Sequence, residues 1–113
     1  MAHNQPVVVP MPRSGLFPLG AVVLTSGVLQ ELGAERAGQA IGQLLARHTL
    51  GDWGELARED WAENDYAILE ELRILSAYTV AVPRPGGGQV DVRIWIITEA
   101  DRSATTILLP DEY

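Results

Sequence analysis

Residues 73–109 read RILSAYTVAV-PRPGGGQ-VDVRIWIIT-EADRS-ATTILL, and this stretch decides the fold. Three runs of β-branched, aromatic and aliphatic residues are separated by a Pro/Gly-rich segment and by a short polar segment, both of which are typical of turns. In the second run, apolar residues at every second position indicate a strand with one fully apolar face. Because strands joined by short turns pair antiparallel, the stretch predicts a C-terminal antiparallel meander that supplies the core.

The residues before the meander predict one more strand and two helices. Leu19–Thr25 is a short apolar run and predicts a first strand. Thr25 and Ser26 are suited to cap a short helix, which Gly33 would end. Ala34–His48 follows, and its apolar residues recur with the period of an amphipathic helix.

Two acidic segments then predict further helical structure. Asp52 and Asp60 each stand three residues before a glutamate, which is the spacing of a capping box. We expect a short helical turn from Asp52 and a longer helix from Asp60 to about Leu72, with one polar residue facing the core. The predicted buried stripe of the longer helix consists of Trp61, Ile68, Leu69 and Leu72.

These elements predict the α+β class, with a three- to four-stranded antiparallel sheet and two or more helices packed on one face. A chain of 113 residues is long enough for a single domain with its own core. Residues 1–18 are rich in proline and poor in charge, so we expect a flexible N-terminal arm. Residues 19–113 form the predicted domain.

The composition excludes several kinds of chemistry. The chain contains no cysteine and no lysine, which excludes thiolate chemistry, disulfides, Schiff-base catalysis and the P-loop lysine. A formal net charge of −7 argues against general nucleic-acid binding. The first residues show neither a secretory signal nor a membrane span. We expect a cytoplasmic protein that has no membrane segment and uses no cofactor or metal.

His48 has two interpretations. At the end of its helix it could be a structural cation that complements the helix dipole. It could instead be the general acid–base of an anion or phosphodiester site. The residues grouped as catalytic under this second hypothesis are His48, Arg93, Arg102, Thr106 and Tyr78. Arginine holds phosphate in a bidentate manner, so such a site would suit a small metal-independent RNase of the toxin type.

The turn at 99–103 and the acidic segment 52–71 are also open to two interpretations each. Asp101 and Arg102 could form a turn with a local ion pair, or Arg102 could belong to the anion site. Eight of the fifteen carboxylates lie between Asp52 and Glu71. They could cap and solvate helices, or they could form an acidic surface that imitates DNA phosphates and blocks a DNA-binding enzyme.

Several motifs resemble a family of small uncharacterised bacterial proteins. They are LARH at 45–48, GDWG at 51–54, SAY at 76–78, IWIITEADR at 94–102, TT at 105–106 and LLP at 108–110, with Asn64 and Tyr113. The similarity spans most of residues 19–113. Members of the family are commonly encoded on plasmids and other integrating elements, and some carry the label of a restriction–modification subunit. The resemblance implies that Asp52, Trp53, Asn64 and Asp101 belong to one binding site or packed junction.

The favoured hypothesis for function is a non-catalytic accessory protein of a mobile genetic element. It would bind a protein partner through its acidic helical surface. If that partner is a host defence protein, the binding would have an anti-defence role. The alternative is the RNase that uses His48 and Arg102. A third hypothesis is a homodimer built on an exposed sheet edge.

Overall fold

The computed structural model describes residues 15–113 and confirms the α+β class. In chain order the elements are β1 (Ala21–Leu24), α1 (Ser26–Leu32), α2 (Ala34–Thr49), α3 (Arg58–Glu70), β2 (Ile74–Pro83), β3 (Gln89–Thr98), β4 (Ala104–Leu108) and a 3₁₀ turn (Pro110–Glu112). The predicted first strand, the two predicted helices that follow it and the three strands of the meander are all present. Residues 1–14 of the predicted arm lie outside the described part of the chain.

The four strands form one sheet in the order β1-β4-β3-β2. The meander is antiparallel, with Ser76 opposite Ile96 and Ile96 opposite Ile107. β1 instead pairs parallel with β4, so the prediction of a purely antiparallel sheet was wrong in this strand. Parallel neighbours need a long connection, and here the connection contains all three helices and two strands of the meander.

The helices α1 and α2 cover one face of the sheet and enclose the core. Val28 and Leu32 of α1 are buried, as are Ala37, Ile41, Leu44 and Leu45 of α2. They belong to one apolar cluster with the sheet residues Val92, Ile94, Ile96 and Ile107. The N-cap prediction for α1 is confirmed, because the hydroxyl of Thr25 accepts a hydrogen bond from the backbone N–H of Val28 at 3.2 Å.

The outer edge of β2 is covered by the segment from Trp53 to α3. The side-chain amide of Asn64 donates to the carbonyl of Leu75 at 2.6 Å and accepts from its N–H at 3.3 Å. Two residues further along β2, Ala77 bonds to the backbone of Trp53 and Glu55. The helix α3 therefore lies along a sheet edge, and the outward backbone groups of Leu75 and Ala77 are satisfied.

This position of α3 corrects several predictions. Residues 52–57 form no helix, since Gly54 makes a β-bridge to Ala77, and α3 begins at Arg58 rather than at Asp60. In the predicted buried stripe, Trp61 and Ile68 are only half-buried, while Leu69 is 79% exposed and Leu72 is 47% exposed. A helix beside an edge buries a narrower line of residues than a helix over a face, and in α3 that line consists of Asn64 and Ala67. The expected polar residue facing the core is Asn64.

The described residues just before β1 are packed against the domain. The backbone N–H of Leu16 donates to the carbonyl of Thr49 at 2.7 Å, and Phe17 is buried in the apolar cluster. Residues 15–18 therefore belong to the domain, whereas a flexible arm was expected from residue 1 to residue 18.

Two glycines are expected to respond in opposite ways to replacement by alanine. A Cβ at Gly38, within α2, would meet no atom within 4 Å, so Gly38→Ala should stabilise the protein by about 0.5–1 kcal/mol through better helix propensity. Gly54 has φ +74°, and its Cβ would overlap the carbonyl oxygen of Ala77, so Gly54→Ala should destabilise it. Urea denaturation measures both changes, and equal effects of the two substitutions would contradict this assignment.

Candidate functional site

His48, in the last turn of α2, is fully buried and joins four other parts of the chain. Its Nδ1 lies 2.6 Å from Ser76 Oγ, and its Nε2 lies 2.8 Å from Thr98 Oγ1. Thr98 Oγ1 lies 2.7 Å from Thr105 Oγ1, and Thr105 donates to the carbonyl of Leu19 at 2.7 Å. We call these five residues the His48 network. It connects α2 with β2, β3, β4 and the residues that lead into β1.

The last bond of the His48 network determines the proton positions from Thr105 back to Nε2 of His48. A threonine hydroxyl has one proton, and Thr105 gives its proton to the carbonyl of Leu19. Thr98 must then donate to Thr105, so it accepts from Nε2–H of His48. A neutral imidazole with its proton on Nε2 satisfies this pattern, since Ser76 then donates to Nδ1 and both ring nitrogens are occupied.

The surroundings of His48 also favour the neutral imidazole. The rings of Phe17 and Trp53 lie 5.3 Å and 5.7 Å from it, both in edge-on geometry. Burial, together with a smaller effect of the positive charge of Arg102, lowers the pKa of His48 to about 3. The interpretation of His48 as a cation that complements the helix dipole was therefore wrong.

The side chain of Arg102 caps the C-terminal end of α3. Its guanidinium donates to the carbonyls of Leu72 at 2.6 Å, Ala67 at 2.9 Å and Glu99 at 3.2 Å, and it lies over the ring of Phe17 at 5.5 Å. The backbone of Arg102 has φ +61°, so the turn at 99–103 directs this side chain across to the helix. The guanidinium is thus engaged with main-chain oxygens.

The other three proposed catalytic residues lie in different places. Tyr78 is buried and donates to the carbonyl of Asp52 at 2.7 Å, and burial raises its pKa to about 12. Arg93 points to the other face of the sheet and forms a half-exposed ion pair with Glu55 at 3.5 Å. Thr106 also faces that side, since its neighbour Thr105 points into the core. The five residues therefore do not surround one accessible surface, and the geometry gives the RNase hypothesis no support.

The four residues proposed for binding also have local roles. Trp53 is fully buried and donates to Asp65 at 3.1 Å. Asn64 holds the edge of β2, as described above. Asp52 forms a bidentate pair with Arg47, and Arg47 lowers the pKa of that carboxyl. Asp101 accepts from the N–H of Ser103 at 2.9 Å within its own turn, and the described residues show no ion pair between it and Arg102.

Sequence reasoning did not identify Ser76, Thr98 and Thr105 as partners of His48. All three occupy core-facing positions of their strands, where aliphatic residues are expected. The presence of hydroxyl residues on an otherwise apolar strand face was a usable signal in the sequence, because a buried hydroxyl needs a hydrogen-bond partner. The sequence alone does not say which partner that is.

The exposed side of α3 carries an acidic and aromatic row. Glu59, Glu63, Tyr66 and Glu70 follow one another at spacings of four, three and four residues, which places them along one line of the helix. We call this line the α3 ridge. All four residues are exposed, and none of the four ion pairs among residues 15–113 includes a carboxylate of α3.

A groove of about 490 Å³ runs beside the ridge. The sheet contributes Leu75 and Ile97, which point away from α1 and α2, and the helix contributes Glu63 and Tyr66. Tyr113 also lines it, together with Asp60 and with Arg73, whose guanidinium lies 5.2 Å from the centre of the Tyr113 ring. We call this the α3 groove. It combines apolar surface from the sheet with two carboxylates, two tyrosines and one arginine at its margin.

No group of three or more His, Cys, Asp or Glu residues within residues 15–113 is arranged to hold a metal ion. None of the helices formed by these residues has the length and apolar character needed to cross a membrane.

Comparison with family models, curated proteins and solved structures gives no match to the chain.

The buried neutral imidazole predicts a specific pH dependence of stability. The pKa of His48 is about 3 in the folded protein and near the ordinary 6.5 in the unfolded chain, so only the unfolded chain takes up this proton between those values. The free energy of unfolding should therefore fall on acidification below pH 6.5, by up to about 1.4 kcal/mol per pH unit from this group.

Urea denaturation from about pH 7.5 to about pH 5 measures this slope before most carboxylates titrate. His48→Gln should lower stability at pH 7.5, and this deficit should shrink towards pH 5 because the variant lacks the His48 part of the slope. An unchanged slope in that variant would contradict the assignment of the proton uptake to His48.

Arg102→Lys should destabilise the protein by about 1–2 kcal/mol, because an ammonium cannot reach all three carbonyls with the planar geometry of the guanidinium. Lysine has the same backbone preference at positive φ, so the comparison isolates the side chain. Hydrogen exchange should show the loss at the C-terminal turn of α3. Exchange that is unchanged there would be inconsistent with the described capping role.

Proposed function

We propose that the chain is a non-catalytic, cytoplasmic accessory protein that binds another protein through the α3 ridge and the α3 groove. The observation that carries this proposal is the exposure of carboxylates and apolar side chains on the same helix. Leu69 is 79% exposed and Tyr66 is 58% exposed, beside the glutamates of the ridge. Unpaired charge together with exposed apolar surface is typical of an interaction site.

This arrangement does not help the isolated protein to fold. Glu59 and Glu63 are four residues apart, and like charges at that spacing destabilise a helix by a few tenths of a kcal/mol. The exposed side chain of Leu69 gains no burial. A partner that neutralises the glutamates and covers the leucine would remove both costs, which supports a binding role for this side of α3.

The chemistry of the partner follows from the same side chains. The α3 ridge offers carboxylates and would attract arginine or lysine, while the α3 groove offers Leu75 and Ile97 to an apolar side chain. A volume of about 490 Å³ falls within the range of roughly 300–1,000 Å³ that is usual for binding pockets. The partner segment should therefore be basic and should carry aliphatic or aromatic residues.

The biological setting is proposed from the family resemblance. It would make the chain an accessory protein of a mobile genetic element, and a DNA-binding enzyme of host defence would be one basic partner. The glutamates of the ridge lie about 6 Å and about 10 Å apart along the helix axis, whereas a DNA strand carries a charge about every 3.4 Å. This lower charge density favours recognition of a basic protein segment over imitation of a whole DNA strand.

Selection from a displayed library of random peptides tests the proposal. Peptides enriched on the protein should be rich in arginine or lysine and should also carry apolar residues. Synthetic versions should bind about tenfold more weakly to the combined variant Glu59→Gln, Glu63→Gln, Glu70→Gln, because three charge contacts are lost. Binding to the parent protein should weaken as salt is raised.

A matched control changes the net charge equally at other exposed sites. The combined variant Glu35→Gln, Asp91→Asn, Asp111→Asn should retain the affinity of the parent, since these residues lie on α2, β3 and the 3₁₀ turn. Equal losses in the two variants would show that only net charge matters. Enriched peptides without positive charge would contradict the proposed partner chemistry.

A further inference from the structure

β1 lies at the edge of the sheet opposite to β2, and its four residues are all exposed. The N–H of Ala21 donates to Ser103, and the N–H of Thr25 donates to Ile107. In a strand, backbone groups alternate in direction, so Ala21, Val23 and Thr25 face β4. Val22 and Leu24 therefore direct their N–H and C=O groups away from the sheet.

Within residues 15–113, no strand or helix pairs with this edge, and the side chains of β1 are exposed. Val22 is 47% exposed, Val23 is 49% exposed and Leu24 is 36% exposed. The strand has no proline, bulge or charged side chain, which are the features that usually protect an edge from pairing. The edge of β2 differs, since Asn64, Trp53 and Glu55 cover its outward groups at Leu75 and Ala77.

The pattern of outward groups on β1 is complementary to itself. If a twofold axis passes beside Val23, then Val22 of one copy lies opposite Leu24 of the other. These residues exchange both backbone hydrogen bonds, which gives four bonds in total. The two Val23 residues then form a non-hydrogen-bonded pair, in which Cα atoms are about 4.5 Å apart and side chains touch.

The charge distribution permits a second copy at this edge. Each copy has a net charge of −7, so two copies repel each other least where they meet through an uncharged surface. Residues 15–30 carry no charged side chain, and they include β1 and most of α1. Leu29 of α1 adds exposed apolar surface next to the strand in the chain. The carboxylate of Glu112 lies at the end of β1, where it accepts from the Thr25 hydroxyl at 2.8 Å, but β1 itself offers a charged partner nothing.

We propose that the outer edge of β1 is a self-association surface, at which two copies pair antiparallel about Val23 to form one continuous sheet. This surface is separate from the α3 ridge, which lies at the other edge of the sheet, and the inference does not rest on the proposed function. A four-residue strand buries much less than the roughly 800 Å² per partner of a standard interface. The dimer is therefore reversible and depends on concentration.

Sedimentation equilibrium of the full chain, from micromolar to near-millimolar concentration, tests this pairing. The parent protein should pass from monomer to dimer, and added salt should favour the dimer because it screens the repulsion between acidic copies. Hydrogen exchange at Val22 and Leu24 should slow in parallel. A parent protein that stays monomeric, or amides that are already protected in the monomer, would overturn the proposal.

Charge substitutions at the axis test the register. Val23→Lys and Val23→Glu should each abolish the dimer, since like charges would face each other directly. An equimolar mixture of the two variants should dimerise again. The control Val90→Lys changes an equally exposed valine on β3 and should leave self-association unchanged. Thermal unfolding should show that all variants are folded.

The outcomes of these substitutions are decisive. Dimerisation of either Val23 variant alone to the extent of the parent would exclude β1 as the interface. Failure of the mixture to dimerise would exclude the twofold axis at Val23. A loss in Val90→Lys as large as in the Val23 variants would show that added charge anywhere prevents association, and would overturn the assignment to β1.

Discussion

The His48 network is the interaction on which the arrangement of the domain depends. Its hydrogen bonds run in one direction from Ser76 through His48, Thr98 and Thr105 to the carbonyl of Leu19. Each member lies on a different element or on the approach to β1, so a shift of any one element would leave a buried polar group without a partner. Such a group costs about 1–3 kcal/mol. All buried side-chain nitrogen and oxygen atoms among residues 15–113 have a partner, so the core contains polar groups without this penalty.

The spacing of apolar residues predicts a helix or a strand where the element has one buried face, because that spacing depends only on the geometry of the element itself. The alternation in β3 and the helical period of α2 are of this kind, and both elements are observed where they were expected. The direction of β1 is not of this kind, because four apolar residues pair equally well with a parallel or an antiparallel neighbour. The burial of Leu69 also depends on where the helix docks, and a helix at a sheet edge leaves this residue exposed.

The partners of the charged residues in the candidate site also cannot be predicted from the sequence. A sequence identifies Arg102 as a cation but does not reveal helix carbonyls as its partners, and these carbonyls occupy its guanidinium. Arg47, Arg73, Arg84 and Arg93 each pair with a carboxylate outside α3. These contacts use most of the few cations that the chain has. α3 itself carries one arginine, Arg58, against five carboxylates, so most of its acidity is left uncompensated, and this relation is visible only in three dimensions.

The two edges of the sheet relate the two proposals geometrically. In the proposed dimer the β1 strands meet at the centre, and the β2 strands with their α3 ridges lie at the two ends of an eight-stranded sheet, four strands from each copy. Strands are spaced about 4.8 Å apart, so the two β2 strands would be about 34 Å apart. A short basic peptide would occupy one ridge only. Each ridge lies beyond its β2 strand, so a partner with two basic segments that span more than this distance would bind both ridges, and its second contact would form at the high effective concentration of an intramolecular event. Self-association through β1 would thus select for extended or repetitive partners without changing any contact at the α3 ridge.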